Sequence, residues 1–271
     1  MVAYSQSELF LDLSSWVDSL QSQGRYFFTS EQAMKQVNVT RVSFINASLR
    51  LARKKRIVRL YRGFYIIVPL EYAAAGVLPA EWFVADLMSY IGKPYYVGLL
   101  SAATLHGAAH QQPQEFQVVT TSPLRKIEVR NLSIRFFTKK NFASTRVIQI
   151  KVQTGFVSVS TPESTAFDLV RYARQLGGLD QVFTVLQELG EVLNGKKLAE
   201  VAAKAGNLTH AQRLGWLLEK AGFEEKVVKL AQWVAEKRPL PAKLEPSSPI
   251  RGALENKRWT LLINTRIEGD L

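Results

Sequence analysis

Hydrophobic side chains in the first part of the chain recur at helical spacing. This spacing predicts a first helix from about Ser5 to Gln21, ended by Gly24. The residues that set the spacing are Leu9, Leu13, Trp16 and Leu20.

Two capping signals and a hairpin signal follow the first helix. Thr29 or Ser30 is an N-cap for a short second helix in "TSEQAMKQV", and Thr40 can cap a third helix after the turn "NVT". The segment "RIVRLYRGFYIIV" alternates apolar and polar residues around Arg62-Gly63, which is typical of a β-hairpin. Two short helices, a long third helix and a hairpin, in that order, predict a winged helix-turn-helix.

From Pro79 onwards the pattern changes. "AEWFVADLMSYIG" predicts a helix, and "YYVGLLSAATLHG" predicts either a strand followed by a helix or a continuous helix. Alternating Val, Ile and Phe predict strands in "FQVVTT", "IEVRNLSIRFFT" and "VIQIKVQTGFVSVS". After "STPEST", a cap followed by Pro and Glu, helices continue to about Glu236, and a Pro-rich extended connector leads to the strand-like "RWTLLINT".

These elements predict an α+β fold with two domains. Residues 1–75 would form the winged helix-turn-helix domain. Residues 76–271 would form a larger mixed α/β domain with a central, mainly antiparallel sheet and a helical C-terminal part.

Positive charge is concentrated in the predicted winged domain. The formal net charge of +12 favours a polyanionic partner. Between Gln32 and Leu70 there is no Asp or Glu, and nine basic residues lie there, which indicates a local nucleic-acid footprint. They are Lys35, Arg41, Arg50, Arg53, Lys54, Lys55, Arg56, Arg59 and Arg62.

The third helix divides into a narrow polar arc, about 100° wide, and a wide apolar arc. We therefore expect a recognition helix that neighbours hold on most sides, with one strip offered to the major groove of DNA. The polar arc consists of Ser43, Asn46, Arg50, Arg53 and Lys54. The apolar arc consists of Val42, Phe44, Ile45, Ala47, Leu49, Leu51 and Ala52.

Each residue of the polar strip has a predicted role. Asn46 is suited to pair with adenine and Arg50 with guanine, and Ser43 can donate to a base or a phosphate. Arg53 and Lys54, further along the helix, are expected at the phosphate backbone.

Two further pairs of residues complete the predicted interface. Thr40 and Arg41 lie beside the positive end of the helix and would meet phosphate, while Arg59 and Arg62 lie on the wing. The alternative is that these residues are simply the solvated face of a basic helix. A nuclear-import signal in "RKKR" is disfavoured because it ends a folded helix.

Histidine and cysteine usage gives little support for a metal centre. The chain has no cysteine, which excludes thiolate catalysis, disulfides and Cys-rich zinc modules. His106 and His110 have the spacing of a zinc-binding helix, but Gly107 stands where a metallohydrolase needs its Glu. A packed or hydrogen-bonded histidine is the preferred interpretation.

The carboxylates of "PESTAFDLVRY" also lack a catalytic arrangement. Glu163 and Asp168 are five residues apart, so we expect Glu163 in the first helical turn and Asp168 paired with an Arg such as Arg171. Phosphate-binding loop, GxGxxG and GxSxG motifs are absent from the sequence. We predict no catalytic residue, metal site or cofactor, and no enzyme.

A second basic stretch occurs in the strand-rich middle of the chain. It either extends a DNA-binding track beyond the winged domain or forms a solvated sheet face. Its members are Arg125, Lys126, Arg130, Arg135, Lys139, Lys140 and Arg146.

The order of several segments resembles the AbiEi-type antitoxins, the regulatory partners in type IV abortive-infection toxin-antitoxin pairs. The segments are "VRLYRGFYII", "YYVGLLSAATLHG" followed by "FQVVTT", "STPESTAFDLVRY", "QRLGWLLEKAG" and "RWTLLINTRIEGD". The resemblance implies an N-terminal domain that represses its own operon by binding inverted repeats in double-stranded promoter DNA. It also implies a C-terminal domain that counters a nucleotidyltransferase toxin without forming a stable complex, as part of phage defence.

Two other classes of function stay open at this point. One is a metal-dependent enzyme that acts on nucleic acid and uses Glu163 or Asp168. The other is a protein adaptor whose winged domain does not bind DNA. The first residues lack a signal-peptide pattern and no apolar run reaches about 18 residues, so we expect a cytoplasmic protein without membrane contact.

Overall fold

The computed structural model describes residues 12–108 and 114–269. They form two compact units. The first comprises the chain up to Pro94 with Leu124–Arg135 and Lys151–Val157, and the second comprises the remaining segments. The domain boundary predicted between residues 75 and 76 stays a prediction.

Ten α-helices and twelve strands form within the described residues. The helices are α1 Leu13–Ser22, α2 Ser30–Val37, α3 Arg41–Arg53, α4 Val84–Ile91, α5 Leu99–Leu105, α6 Pro162–Arg171, α7 Leu179–Val192, α8 Gly195–Ala205, α9 Leu208–Lys220 and α10 Val228–Glu236. Short 3₁₀ helices span Leu70–Tyr72, Ala80–Trp82, Phe142–Ser144 and Ala173–Gln175. The strands are β1 Phe27–Thr29, β2 Ile57–Tyr61, β3 Phe64–Ile67, β4 Tyr95–Val97, β5 Phe116–Thr120, β6 Ile127–Val129, β7 Leu132–Thr138, β8 Val147–Val152, β9 Gly155–Ser160, β10 Ala242–Lys243, β11 Leu254–Asn256 and β12 Leu261–Ile263.

The first helix begins later than its hydrophobic spacing predicts. Asp12 has extended backbone angles, and its Oδ1 accepts a hydrogen bond of 2.8 Å from the Ser15 amide, so the helix begins at Leu13. The part of the predicted helix before Asp12, with Leu9, lies outside the described residues.

The next elements form as predicted, because their caps are strong local signals. Thr29 and Gln32 form a reciprocal capping box at the start of α2. Thr40 caps α3, and β2 and β3 pair antiparallel on either side of Arg62-Gly63. Strand β1 adds to β3 to give a three-stranded sheet in the order β1-β3-β2. Three residues are too few for an alternation signal, so β1 was not predicted.

A six-stranded sheet has the order β6-β7-β5-β4-β9-β8. Strand β4 pairs antiparallel with β5 and parallel with β9. The segment "YYVGLLSAATLHG" is a strand followed by a helix, which decides between the two predicted alternatives. The winged helix-turn-helix, the mainly antiparallel sheet and the C-terminal helices confirm the predicted α+β fold class.

Helix α6 is the centre of the second unit. Its eight residues from Glu163 to Val170 are all buried, and α5, α7, α8 and α9 pack around it. A small sheet in the order β10-β12-β11 is held to α9 by Gln212, whose Nε2 donates to the carbonyl oxygens of Trp259 and Thr260, each at 2.9 Å. An all-buried helix requires a partner for each of its polar side chains.

Asp168 is the side chain of α6 whose burial costs the most, because it is charged and fully buried, and a buried ion pair satisfies it. The Nζ of Lys139 lies 2.6 Å from Asp168 Oδ1, and the hydroxyl of Tyr96 donates to Asp168 Oδ2 at 2.7 Å. The Asp168 side chain has no solvent exposure and that of Lys139 is 6% exposed. The predicted pairing of Asp168 with Arg171 is therefore wrong. The prediction considered only charged neighbours within the same helix. The actual partner, Lys139, comes from the end of β7, which is distant in the chain.

Removing the lysine should destabilise the fold strongly. We expect Lys139→Met to lower the free energy of unfolding by about 3–5 kcal/mol, because the Asp168 charge would stay buried without its partner. Urea unfolding followed by circular dichroism would measure this change.

The control is Arg146→Met, which breaks the half-exposed ion pair with Glu200 and should cost at most about 1 kcal/mol. The double variant Lys139→Met/Asp168→Asn should recover much of the loss. Equal stability losses for the two single variants would contradict a dominant role for the buried pair.

Candidate nucleic-acid interface

The first compact unit contains the winged helix-turn-helix and is called the winged unit below. Helix α3 packs against the rest of this unit along one narrow strip. Its buried residues are Phe44, Ser48 and Leu51. The Phe44 ring meets Tyr65 edge-on at 5.5 Å between centroids, and Ser48 Oγ donates to the Ile45 carbonyl at 2.9 Å. This strip fixes which side of the helix faces outward.

Every residue of the predicted interface is exposed. They are Thr40, Arg41, Ser43, Asn46, Arg50, Arg53, Lys54, Arg59 and Arg62. Thr40 and Ser43 are also hydrogen-bonded to each other, since Thr40 Oγ1 accepts a hydrogen bond of 3.3 Å from the Ser43 amide. Exposure makes these residues available to a ligand, but their roles at DNA stay predictions.

The prediction that neighbouring elements cover the wide apolar arc of α3 is wrong. Val42, Ile45 and Leu49 are 68%, 44% and 51% exposed, so neighbours do not hold the helix on most sides. The reason is that α1, α2 and β2 all contact α3 from the side of Phe44 and Leu51. The outward face is therefore broad, and it combines aliphatic side chains with the predicted polar ones.

The turn of the wing is anchored on two sides. Tyr90 of α4 donates its hydroxyl to the Arg62 carbonyl at 2.9 Å, and the Ser30 amide donates to the Gly63 carbonyl at 2.8 Å. The Tyr90 ring also packs against Phe64. Tyr90 gave no signal in the sequence, because it lies 28 residues from Arg62 and its role depends on the tertiary fold.

A second basic element lies beside the wing within the same unit. A groove of about 630 Å³ is lined by five basic side chains and the carboxylate-bearing Glu128, which forms an ion pair with Lys126. The basic side chains are Arg41, Arg59, Arg62, Arg125 and Lys126. The residues just before β6 thus bring Arg125 from the middle of the sequence to the predicted interface, together with the ion pair of Lys126 and Glu128.

Two further residues of the second basic stretch are engaged in ion pairs. Lys139 forms the buried ion pair with Asp168, and Arg146 forms an ion pair with Glu200. Within the first basic stretch, Arg56 pairs with Asp18. Sequence could not separate these charges from the available ones, because their carboxylate partners are distant in the chain.

The candidate catalytic residues have structural partners. The ring Nε2 of His106 lies 2.7 Å from the Ser160 carbonyl, which agrees with a hydrogen-bonded histidine, and α5 ends at Leu105, before it. His110 lies outside the described residues. Glu163 is buried, and its Oε1 accepts from the Asn194 amide at 3.1 Å. Among residues 12–108 and 114–269, no group of three His, Cys, Asp or Glu side chains could hold a metal ion.

One family model matches the middle part of the chain. Residues 96–220 match the family model described as the AbiEi antitoxin C-terminal domain. This match supports an AbiEi-type antitoxin family and an antitoxin role in a toxin-antitoxin system. No curated protein matches the chain significantly.

A solved structure has a similar fold over nearly the whole chain. The crystal structure of the RV2827C protein from Mycobacterium tuberculosis has a TM-score of 0.66 and 13% sequence identity, covering 97% of this chain and 95% of that chain. At this identity the likeness concerns the fold alone. An antigenic nucleotidyltransferase-like protein from Paracoccidioides brasiliensis gives a TM-score of 0.33 at 8% identity, covering 52% of this chain and 90% of that chain, which is too low for a shared fold.

Across the part of the chain that the structure describes, none of the helices combines the length and apolar character that crossing a bilayer requires.

A methyl group at the wing turn should disturb its anchor. Gly63 has a φ of +78°, and a Cβ there would lie 2.4 Å from the Tyr90 hydroxyl oxygen. We expect Gly63→Ala to lower the free energy of unfolding by about 2–3 kcal/mol, since left-handed strain is added to the loss of the Tyr90 hydrogen bond. Urea unfolding of the full chain measures it.

Gly24→Ala is the matched control. Gly24 has a similar φ of +72°, but a Cβ there would meet nothing within 4 Å, so only about 1 kcal/mol of strain is expected. If both variants lost the same stability, the contact between Tyr90 and the wing turn would have no energetic role.

Proposed function

We propose that this antitoxin is also a sequence-specific repressor of its own operon, which binds inverted repeats in promoter DNA through its winged helix-turn-helix. The observation that supports this most directly is the outward face of α3 and the wing. All nine predicted residues are exposed there, and the segment from Gln32 to Leu70 contains no carboxylate side chain to compete with phosphate.

Base discrimination would come from the outward face of α3. Asn46 is suited to adenine and Arg50 to guanine, because their paired donors and acceptors match those base edges. The exposed aliphatic side chains Val42 and Ile45 add a contact for thymine methyl groups. The same face therefore offers both kinds of major-groove contact.

Affinity would come from cations around the wing. Arg53 and Lys54 at the end of α3, with Thr40 and Arg41 at its start, are placed for the phosphate backbone. Arg125 enlarges this basic surface, since it lines one groove with Arg41, Arg59 and Arg62, whereas Lys126 in that groove is paired with Glu128. Of the two alternatives for the second basic stretch, this groove favours an extended DNA track, but only for Arg125.

The second unit would counter a nucleotidyltransferase toxin in the cytoplasm, without a stable complex and without a cofactor. The support is the antitoxin domain over residues 96–220 and the resemblance of the chain to the type IV systems of phage defence. The alternative of a metal-dependent enzyme is disfavoured because both oxygens of Asp168 are engaged, by Lys139 and Tyr96, and Glu163 binds the Asn194 amide.

Two substitutions on α3 should separate base reading from phosphate binding. Arg50→Ala should lower affinity for the upstream operator by about 1–3 kcal/mol and relax sequence preference, because a base contact is lost. Lys54→Ala should weaken binding to all duplexes about equally and reduce the salt slope by about 1. The measurement is a titration against operator and scrambled DNA at several salt concentrations.

Arg125→Gln tests the added groove in the same assay. It should behave like Lys54→Ala, whereas Arg146→Gln, whose arginine pairs with Glu200, should leave the salt slope unchanged. If Arg50→Ala and Lys54→Ala both bound operator like the parent, the assigned recognition face would be wrong. Absence of salt-dependent DNA binding in the parent would favour the protein adaptor instead.

The antitoxin role should survive the loss of DNA binding. We expect the triple variant Arg41→Ala/Arg50→Ala/Arg53→Ala to protect cells that express the cognate toxin as well as the parent does, because these residues belong to the winged unit. Growth after toxin induction, from a promoter independent of the operator, is the measurement. Loss of protection at equal protein level would place the antitoxin function in the DNA-binding face.

A further inference from the structure

A pocket of about 350 Å³ in the second unit contains an unusual group of basic side chains. Arg171 comes from the end of α6, Arg174 from the following 3₁₀ helix, and His210 and Arg213 from α9. The loop after β10 closes the opposite side with Glu245. Three arginines and His210 thus line one small space, and the Arg171 guanidinium also lies over the Tyr172 ring at 5.6 Å from its centroid.

These three arginines lack carboxylate partners at bonding distance. Within residues 12–108 and 114–269, none of them has a carboxylate oxygen within 4.0 Å of its nitrogens. Glu245 is the nearby acid, and its Oε1 is held by Ser247, whose Oγ donates to it at 2.6 Å. Arg213 is partly removed from water, and this burial lowers its pKa. The positive charge in the pocket therefore exceeds the negative charge.

His210 adds a polar atom that has no partner in the protein. Its ring Nδ1 is buried and makes no hydrogen bond, while the ring edge packs against Phe167. Burial, and then the charges of Arg213, Arg171 and Lys139, lower the pKa of His210 to about 4. The imidazole is therefore neutral at pH 7, so the positive charge of the pocket comes from its arginines.

The wall of the pocket is fixed before any ligand binds. Asn264 holds the loop after β10, because its Oδ1 accepts from the Glu245 amide at 3.0 Å and its Nδ2 donates to the Glu245 carbonyl at 2.8 Å. Arg213 Nε donates to the Lys243 carbonyl at 2.9 Å, which leaves its terminal nitrogens for another acceptor. A rigid site loses little entropy on binding.

We propose that this pocket binds the phosphate group of a small phosphorylated ligand, of about the size of a mononucleotide. Guanidinium forks match phosphate oxygens in geometry and charge, and the arginines that line the pocket supply the donors that a phosphate dianion requires. Buried apolar side chains of Val170, Leu179 and Leu244 line the remaining surface. The volume is near the lower limit for small-molecule sites, which are about 300–1,000 Å³. This proposal does not depend on the proposed DNA binding.

The test uses inorganic phosphate and the full-length protein labelled at its three histidines. Phosphate should shift the His210 ring resonances in a saturable way, with the assignment made from His210→Asn. Arg174→Gln should weaken this binding about tenfold, since one charge-assisted contact is lost. Glu245→Gln should tighten binding several-fold, because the competing negative charge is removed while the acceptor for Ser247 is kept.

Arg251→Gln is the matched control, since it removes an exposed arginine that does not line the pocket, and it should leave the affinity unchanged. Adenosine 5′-monophosphate should displace phosphate, whereas adenosine should not. The proposal is overturned if Arg174→Gln binds phosphate like the parent while its melting temperature is unchanged, if Arg251→Gln weakens binding equally, or if adenosine alone competes.

Discussion

The enclosed ion pair between Lys139 and Asp168 is the interaction on which the second unit depends. Charges withdrawn from water require a partner in good geometry, so the end of β7 must meet α6 at one position. Tyr96 of β4 satisfies the other oxygen of Asp168, which joins the sheet to the central helix a second time. Because α6 is fixed in this way, Arg171 at its end and Arg174 just after it are brought to the pocket beside α9.

The winged unit differs from the second unit, since its proposed function requires polar side chains that are exposed rather than buried. Only a narrow strip of α3 packs inward, and the wing turn is tied to its own unit by Tyr90 and Ser30. A rigid frame with a free, basic and partly aliphatic face suits a surface that meets DNA, because sequence reading requires side chains held in a fixed position relative to the groove. The two units thus divide a surface function from a buried polar network.

Much of the fold was predictable because its signals are local. The capping residues Thr29 and Thr40 and the turn at Gly63 act on their own backbone neighbours, so their effects can be inferred without knowing the tertiary structure. The apolar arc of α3 was misjudged for the opposite reason. Hydrophobic character predicts burial only where a neighbouring element is present, and Val42 and Leu49 have none.

The sequence by itself determined the order of the elements, the acid-free basic segment, the α+β class and the resemblance to AbiEi-type antitoxins. Only the tertiary structure decided which charges are available: it pairs Lys139 with Asp168, brings Arg125 to the wing and gathers three arginines around His210. The physical reason is that electrostatic interactions depend on distance and burial in space. Spacing along the chain carries that information within a helix or a hairpin, but not between elements tens of residues apart.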